Sequence, residues 1–170
     1  PAGEFWVHYK LPEDGMNSRK SARLNLKQTA SAAHIYGRRE AQAEAFTQME
    51  QDRTHWSLGP YDLKPYANDA FCEGINRFML HQATCPEDGK PGFEFCAGQH
   101  FTPNITWWEQ SSAFFSYLSR CQSLLQQGKF VGDVCFFLGE RPPVLVPPKY
   151  VVPTLGVGYD CDYTNAEVLL

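Results

Sequence analysis

A chain of 170 residues that is 43% hydrophobic and 14% aromatic has the length and apolar content for one domain with a buried core, which excludes a disordered or collagen-like polymer. Its 15 basic and 19 acidic residues, net −4, are mixed along the chain with no Lys/Arg block able to neutralise a phosphate backbone, so no nucleic-acid partner is expected. No apolar run reaches the roughly 18 residues of a membrane span, and Pro1 to Tyr9 lacks the basic-then-apolar pattern of a signal peptide, so no membrane partner is expected either.

Pro12 to Ser18 reads as loop, and Ser21 to Tyr36 as a helix with Leu24, Ala32, Ala33 and Ile35 among its apolar positions and Gly37 as its stop. Ala41 to Phe46 is a short strand in which Glu44 stands among small and apolar neighbours. A wet loop, Thr47 to Pro60, leads to a helix from about Leu63 to Gly74 with Ala67, Ala70 and Phe71 as its apolar side. Asn76 to His81 follows as a buried strand, then a Gly/Pro-rich loop from Pro86 to Asn104 that carries His100. Thr106 to Gln127 is the longest helix: Trp107, Phe114, Tyr117, Leu118, Cys121, Leu124 and Leu125 recur at helical spacing, Thr106 and Glu109 form a capping box, and Gly128 ends it. Phe130 to Leu138 is a further buried strand that delivers Gly139 and Glu140. The start at Pro1 and the end in the apolar run Val168-Leu169-Leu170 read as those of an excerpt, residues 1–170 forming a fragment of one domain.

Helices alternating with strands predict an α/β fold with parallel strands and right-handed crossovers, whose chemistry gathers at the C-terminal strand ends. Glu44, His81 and Glu140 all lie at or next to such ends. On an internal strand Glu44 would be shielded from water, and burial favours the neutral carboxyl that a general acid needs; on an edge strand it would simply face solvent. Glu140 is held by Pro142 and Pro143 at a fixed strand exit, or belongs to a surface turn. Two carboxylates at neighbouring strand ends are what glycoside hydrolysis requires, one protonating the leaving oxygen and the other activating water or attacking the sugar. Asp160, Asp162 and Glu167 form a third acidic group, suited either to a hard cation such as Ca2+ or to the first turn of a helix.

Aromatic faces are platforms for sugar rings, so Trp107 and Trp108 are candidate substrate contacts, although one of the two must face the core of its helix. His81, His100 and Asn165 are candidate hydroxyl-binding groups or ordinary satisfied polar residues. Cys72, Cys121 and Cys135 sit in apolar segments as buried free thiols do, and Cys85 with Cys96 is the pair whose placement suits a loop-closing bridge. A Ser-His-Asp hydrolase is disfavoured by the lack of a Gly-x-Ser-x-Gly elbow, and nucleotide binding by the lack of a glycine-rich fingerprint.

Taken in order, Gly3-Glu4-Phe5-Trp6, Ala30-Ser31-Ala32-Ala33-His34-Ile35-Tyr36-Gly37, Ala43-Glu44-Ala45-Phe46-Thr47, Gly74-Ile75-Asn76-Arg77-Phe78, Thr106-Trp107-Trp108-Glu109-Gln110, Gly139-Glu140 and Gly158-Tyr159-Asp160 running to Asn165-Ala166-Glu167 resemble the α-L-rhamnosidases of glycoside hydrolase family 106. The resemblance implies part of a (β/α)8 barrel, about four of its eight strands, in a long secreted or periplasmic protein with accessory β domains. It implies an inverting, calcium-assisted enzyme acting on a carbohydrate substrate, terminal α-linked L-rhamnose of plant-type glycans. Carried over residue by residue, it makes Glu44 the general acid and leaves Glu140 and Glu167 for the base, Glu140 being favoured by its place at a strand end and Glu167 being a calcium ligand or the base itself; Asp160 and Asp162 stand as metal candidates on their spacing. The fragment alone would then be inactive; a non-catalytic carbohydrate-binding module and a truncated remnant are the other readings.

Overall fold

Three short segments pair side by side as parallel strands: β1 (Ala2–Trp6), β2 (Gln42–Thr47) and β3 (Arg77–Leu80), in that order across the sheet. They belong to a computed structural model that describes residues 2–7, 25–48, 56–83, 97–141 and 155–170. Helix α1 (Leu26–Ile35) connects β1 to β2, and α2 (Pro60–Cys72) connects β2 to β3, as parallel pairing demands. On β2 the alanines Ala43 and Ala45 are fully buried, and their small side chains let Leu26, Ala30, Ala33, Leu63, Ala67 and Ala70 of the helices close over the sheet. Glu44, of opposite parity, points to the other face.

Helix α2 starts where the sequence offers Gly59-Pro60: the Gly59 amide donates to the Asp62 carboxylate at 3.0 Å, and Pro60 occupies a first-turn position whose amide has no helical partner anyway. It buries Leu63, Tyr66, Ala67 and Ala70, a three-and-four spacing. The link from α2 to β3 turns at Gly74, whose φ is +95° and where an added Cβ would lie 2.9 Å from the Ala30 Cβ of α1. Gly74→Ala is therefore expected to cost about 1–2 kcal/mol for the left-handed backbone alone. Faster amide hydrogen exchange in peptides from α1 and β3 would register it.

Helix α3 (Ser112–Leu125) is shorter than its sequence pattern. Trp107 donates its indole N–H to the Leu58 carbonyl at 3.0 Å and packs edge-on against Phe101 and Phe114, which ties the preceding segment into a 3-10 turn, Trp108–Gln110. Ser111 rather than Thr106 is the N-cap, and the Thr106–Glu109 capping box does not form. Leu124 and Leu125, counted in the apolar stripe, are exposed.

A second sheet, absent from the sequence reading in this form, pairs β4 (Val134–Phe137) with β5 (Cys161–Thr164) in parallel. Helix α1 lies along β5 as well as on β1 and β2, and a short helix α4 (Ala166–Leu169) follows, capped by Asn165, whose side chain accepts from the Val168 amide. Four expectations need correction. The β3 and β4 segments are not buried strands, since Met79, Leu80, Val134 and Phe137 are exposed. Thr47 and Gln48 are not the start of a wet loop but fully enclosed. Among the thiols Cys72 and Cys135 are exposed and Cys121 half-buried, while Cys161 is the buried one. The strands β1 and β5 were missed, because the first is short and opens on Ala-Gly and the four residues of the second include Asp162, with Asp160 just before them. Cys85 and Cys96 lie outside the described residues.

Candidate active site

The site begins with an irregularity in β2. Phe5 is level with Ala45 but Trp6 with Thr47, so Phe46 is an extra residue, a β-bulge, and its φ of +68° is in the left-handed region that a bulky side chain rarely enters. The Phe46 ring goes into the core, edge-on to Phe5, Phe78 and Phe101 at centroid distances of 5.1, 6.0 and 5.6 Å. In a regular strand, residues three apart point to opposite faces. With Phe46 bulged out of the count, Thr47 turns to the face of Glu44, and its hydroxyl donates to Glu44 Oε1 at 3.2 Å.

His81, just past the end of β3, completes the group. Its Nδ1 lies 3.0 Å from the same Glu44 Oε1 and 3.2 Å from Thr47 Oγ1. Its backbone is pinned from both sides: the His81 amide donates to the Ala45 carbonyl at 2.9 Å, and the Gln99 amide donates to both the His81 and Phe46 carbonyls, at 2.8 and 3.0 Å. Gly98 makes that approach possible, because a Cβ there would meet the His81 carbonyl oxygen at 2.5 Å.

The Glu44 carboxylate is half open, 45% exposed, with His81 at 22%. β2 is thus the internal strand that the sequence reading required, yet its glutamate is reachable rather than shielded, because the face opposite the helices is open. What the arrangement can do is present one carboxyl group to a ligand with one oxygen tethered and the other free. Among the described residues no protein group bonds Oε2, and no Lys or Arg contacts Glu44. One further carboxylate shares this face: Glu4 of β1 stands level with Glu44 across the parallel ladder, about 4.8 Å away along the hydrogen-bonding direction. Neither Glu4 nor Thr47 was singled out from the sequence. An unseen strand hid the first, and the bulge hid the second.

The other sequence candidates are placed elsewhere. Glu167 accepts the Tyr36 hydroxyl at 2.7 Å, and Asn165 donates to the same oxygen, so both sit at the end of α1 that leads into the N-terminal end of β2. Glu140 follows β4, which runs level with β5 to Leu138 and Thr164, and is exposed on that second sheet. Neither makes a contact with Glu44. His100 is 1% exposed and stacked flat on Trp56 at 4.0 Å, enclosed rather than presented to solvent. Trp107 is the structural tryptophan of its pair, and Trp108 is half-buried beside Phe115.

Residues 1–170 match the family model described as alpha-L-rhamnosidase, glycoside hydrolase family 106. The chain belongs to this family. A rhamnosidase of known structure from Novosphingobium sp. PP1Y is similar over 99% of the chain, with a TM-score of 0.80 and 29% identity, and the match covers 16% of that larger protein. A protein of Formosa agariphila named "Putative beta-glucuronidase" is 36% identical over 146 residues, 84% of the chain and 12% of its own length. The chain therefore spans a small part of the length of these relatives, and the α/β arrangement of parallel strands and helices is that of a rhamnosidase segment.

For this family member the acidic group on β5 can be weighed as a cation site. Asp160 Oδ1 is 2.8 Å from the ammonium of Lys27, itself 2% exposed and lying over the Phe130 ring. Asp162 takes the Ser31 hydroxyl at 2.9 Å and His34 Nδ1 at 3.0 Å. Partial desolvation and, second, the charge of Asp162 push the neighbouring Cys135 thiol upward, which keeps it protonated. A calcium ion wants six or more oxygen ligands and no ammonium at its side. These residues do not fit it, and no cluster of three or more His, Cys, Asp or Glu suited to a metal occurs among the described residues. A large cavity, about 1090 Å³, opens beside this group between the C-terminal ends of the helices, lined by His34, Arg39, Asn76, Gln126 and Phe130. It does not include Glu44, Thr47 or His81, and its volume alone says less than a tethered, reachable carboxylate.

Proposed function

We propose that this segment carries the general acid of a glycoside hydrolase that releases terminal α-linked L-rhamnose with inversion at the anomeric carbon. It would form part of a (β/α)8 barrel completed by other segments and accessory β domains of a secreted or periplasmic full-length protein. One observation carries the reading: on the central strand of a parallel sheet, Glu44 is reachable from solvent with Oε1 tethered by His81 and Thr47. The acid protonates the departing oxygen as the glycosidic bond breaks, and water attacks the opposite face of an oxocarbenium-like transition state. Glu140 and Glu167 are the candidates for the water-activating base from the sequence, and Glu4 joins them because it shares the face of Glu44.

The name of the Formosa relative favours a second reading, removal of a β-linked glucuronic acid. A glucuronide brings its own carboxylate, which wants a cationic partner, and among the described residues no Lys or Arg contacts Glu44, His81 being the one basic side chain at its carboxylate. Incubating the full-length protein with nitrophenyl α-L-rhamnoside and nitrophenyl β-D-glucuronide separates the two: rhamnoside cleavage, with the β-anomer formed first in the proton NMR spectrum, is expected. Glucuronide cleavage alone would replace the substrate assignment. Sugar binding without turnover of either would make this a binding module.

A further inference from the structure

We propose that His81 and Thr47 assign separate duties to the two carboxyl oxygens of Glu44: Thr47 donates to Oε1 and is itself held by His81, and Oε2 is the oxygen that carries the transferable proton. The inference rests on Glu44 being the general acid and adds two positioning residues to it. Thr47 Oγ1 and His81 Nδ1 are 3.2 and 3.0 Å from Oε1, and 3.2 Å from each other, so the three atoms form a closed triangle, and among the described residues no group bonds Oε2. With Oε1 taken by the Thr47 hydroxyl and closed off by the edge of the His81 ring, the proton goes to the open oxygen. The tautomer follows: Thr47 has one hydroxyl proton and gives it to Oε1, so in the pair with Oγ1 it is Nδ1 of His81 that donates, and Nε2 is left as an acceptor for a substrate hydroxyl. A ring 22% exposed has the opening for one such contact.

The scaffold around the triangle is built for position. Thr47 reaches Glu44 only because Phe46 is bulged in the left-handed region, and His81 only because its amide and carbonyl are bonded to Ala45 and Gln99. In the reaction the Oε2 proton moves to the glycosidic oxygen, the electron pair of the breaking bond to the anomeric carbon goes to that same oxygen, and Glu44 is left as a carboxylate. That carboxylate keeps the Thr47 hydrogen bond at Oε1 with His81 Nδ1 beside it, so neither group need move during the step, which is the condition for preorganised stabilisation.

The test compares Glu44→Gln, His81→Ala, His81→Asn, Thr47→Val and Thr47→Ser in the full-length protein, on an alkyl α-L-rhamnoside, whose leaving oxygen needs a proton, and on a dinitrophenyl α-L-rhamnoside, whose leaving oxygen does not. Misplacing the acid is expected to lower kcat by about 10²-fold on the alkyl substrate in His81→Ala, with a much smaller loss on the aryl substrate. His81→Asn, whose amide nitrogen can occupy the place of Nδ1, is expected to recover at least tenfold of that. Thr47→Val should show the same substrate split in weaker form, and Thr47→Ser, which keeps the hydroxyl, should recover part of that loss. Equal losses on both substrates in His81→Ala, a loss confined to KM, or no recovery in His81→Asn would overturn the positioning role. Failure of the acid reading looks different, because Glu44→Gln itself would then lose activity equally on both substrates.

Discussion

Glu44→Gln in the full-length protein is expected to slow hydrolysis of an alkyl α-L-rhamnoside by about 10²–10⁴-fold, the usual worth of a positioned proton donor. Hydrolysis of a dinitrophenyl rhamnoside should slow far less. The reason lies in what glutamine preserves. Its carbonyl oxygen can take the place of Oε1 and accept from Thr47 as the carboxylate does, at 3.2 Å, with His81 Nδ1 3.0 Å away and the amide nitrogen in the place of Oε2. Shape and tethering survive, and KM should change little; only the transferable proton is lost. The same pair of substrates finds the base, since a residue that activates water is needed whatever the leaving group. Of Glu4→Gln, Glu140→Gln and Glu167→Gln, the variant that loses activity alike on both substrates names it, and unaltered turnover removes that residue from the pair. Carboxyl groups in inverting enzymes stand about 6.5–9.5 Å apart, and those of retaining ones about 5–5.5 Å. Glu4, level with Glu44 on the adjacent strand, is therefore a partner whose exact side-chain reach bears on the stereochemistry, which the first-formed anomer reads directly.

The sequence made β2 and its glutamate legible because their signals are local. A run of alanines around one carboxylate, bounded by a helix stop before it, has few other meanings, and the alternation of elements then dictated parallel pairing. The helices α1 and α2 were found for the same reason, through the spacing of their apolar residues, with Gly37 as the stop of the first. What failed was non-local. Whether β4 joins β1–β3 or pairs with β5 depends on contacts between segments far apart in the chain, and an apolar run of four to eight residues carries no record of its partner. The exposed faces of β3 and β4 were read as buried for the same reason, since hydrophobicity alone does not tell a covered face from an open one. His81 was placed near Glu44 by topology, but its contact with Glu44 and Thr47 needed the bulge at Phe46 and the neighbouring backbone of Gln99, and neither leaves a mark in the local sequence.

The bulge itself supports the second large effect. Phe46 is fully buried and touches Phe5, Phe78, Phe101 and Phe114, so Phe46→Ala removes the ring at the centre of the aromatic cluster and is expected to cost about 3–5 kcal/mol. The readout is local: amide hydrogen exchange of peptides from β1, β2 and β3 should accelerate together. Phe46→Gly makes the same cavity but relieves the left-handed backbone, where a side chain costs about 1–2 kcal/mol. At a regular strand position glycine is worse than alanine by about 0.5–1 kcal/mol. Here the order should invert, with glycine exchanging more slowly than alanine. If alanine is instead the milder change, Phe46 does not hold a left-handed bulge in solution. Thr47 would then point to the face opposite Glu44, and the tethering of Oε1 from that side would be lost with it.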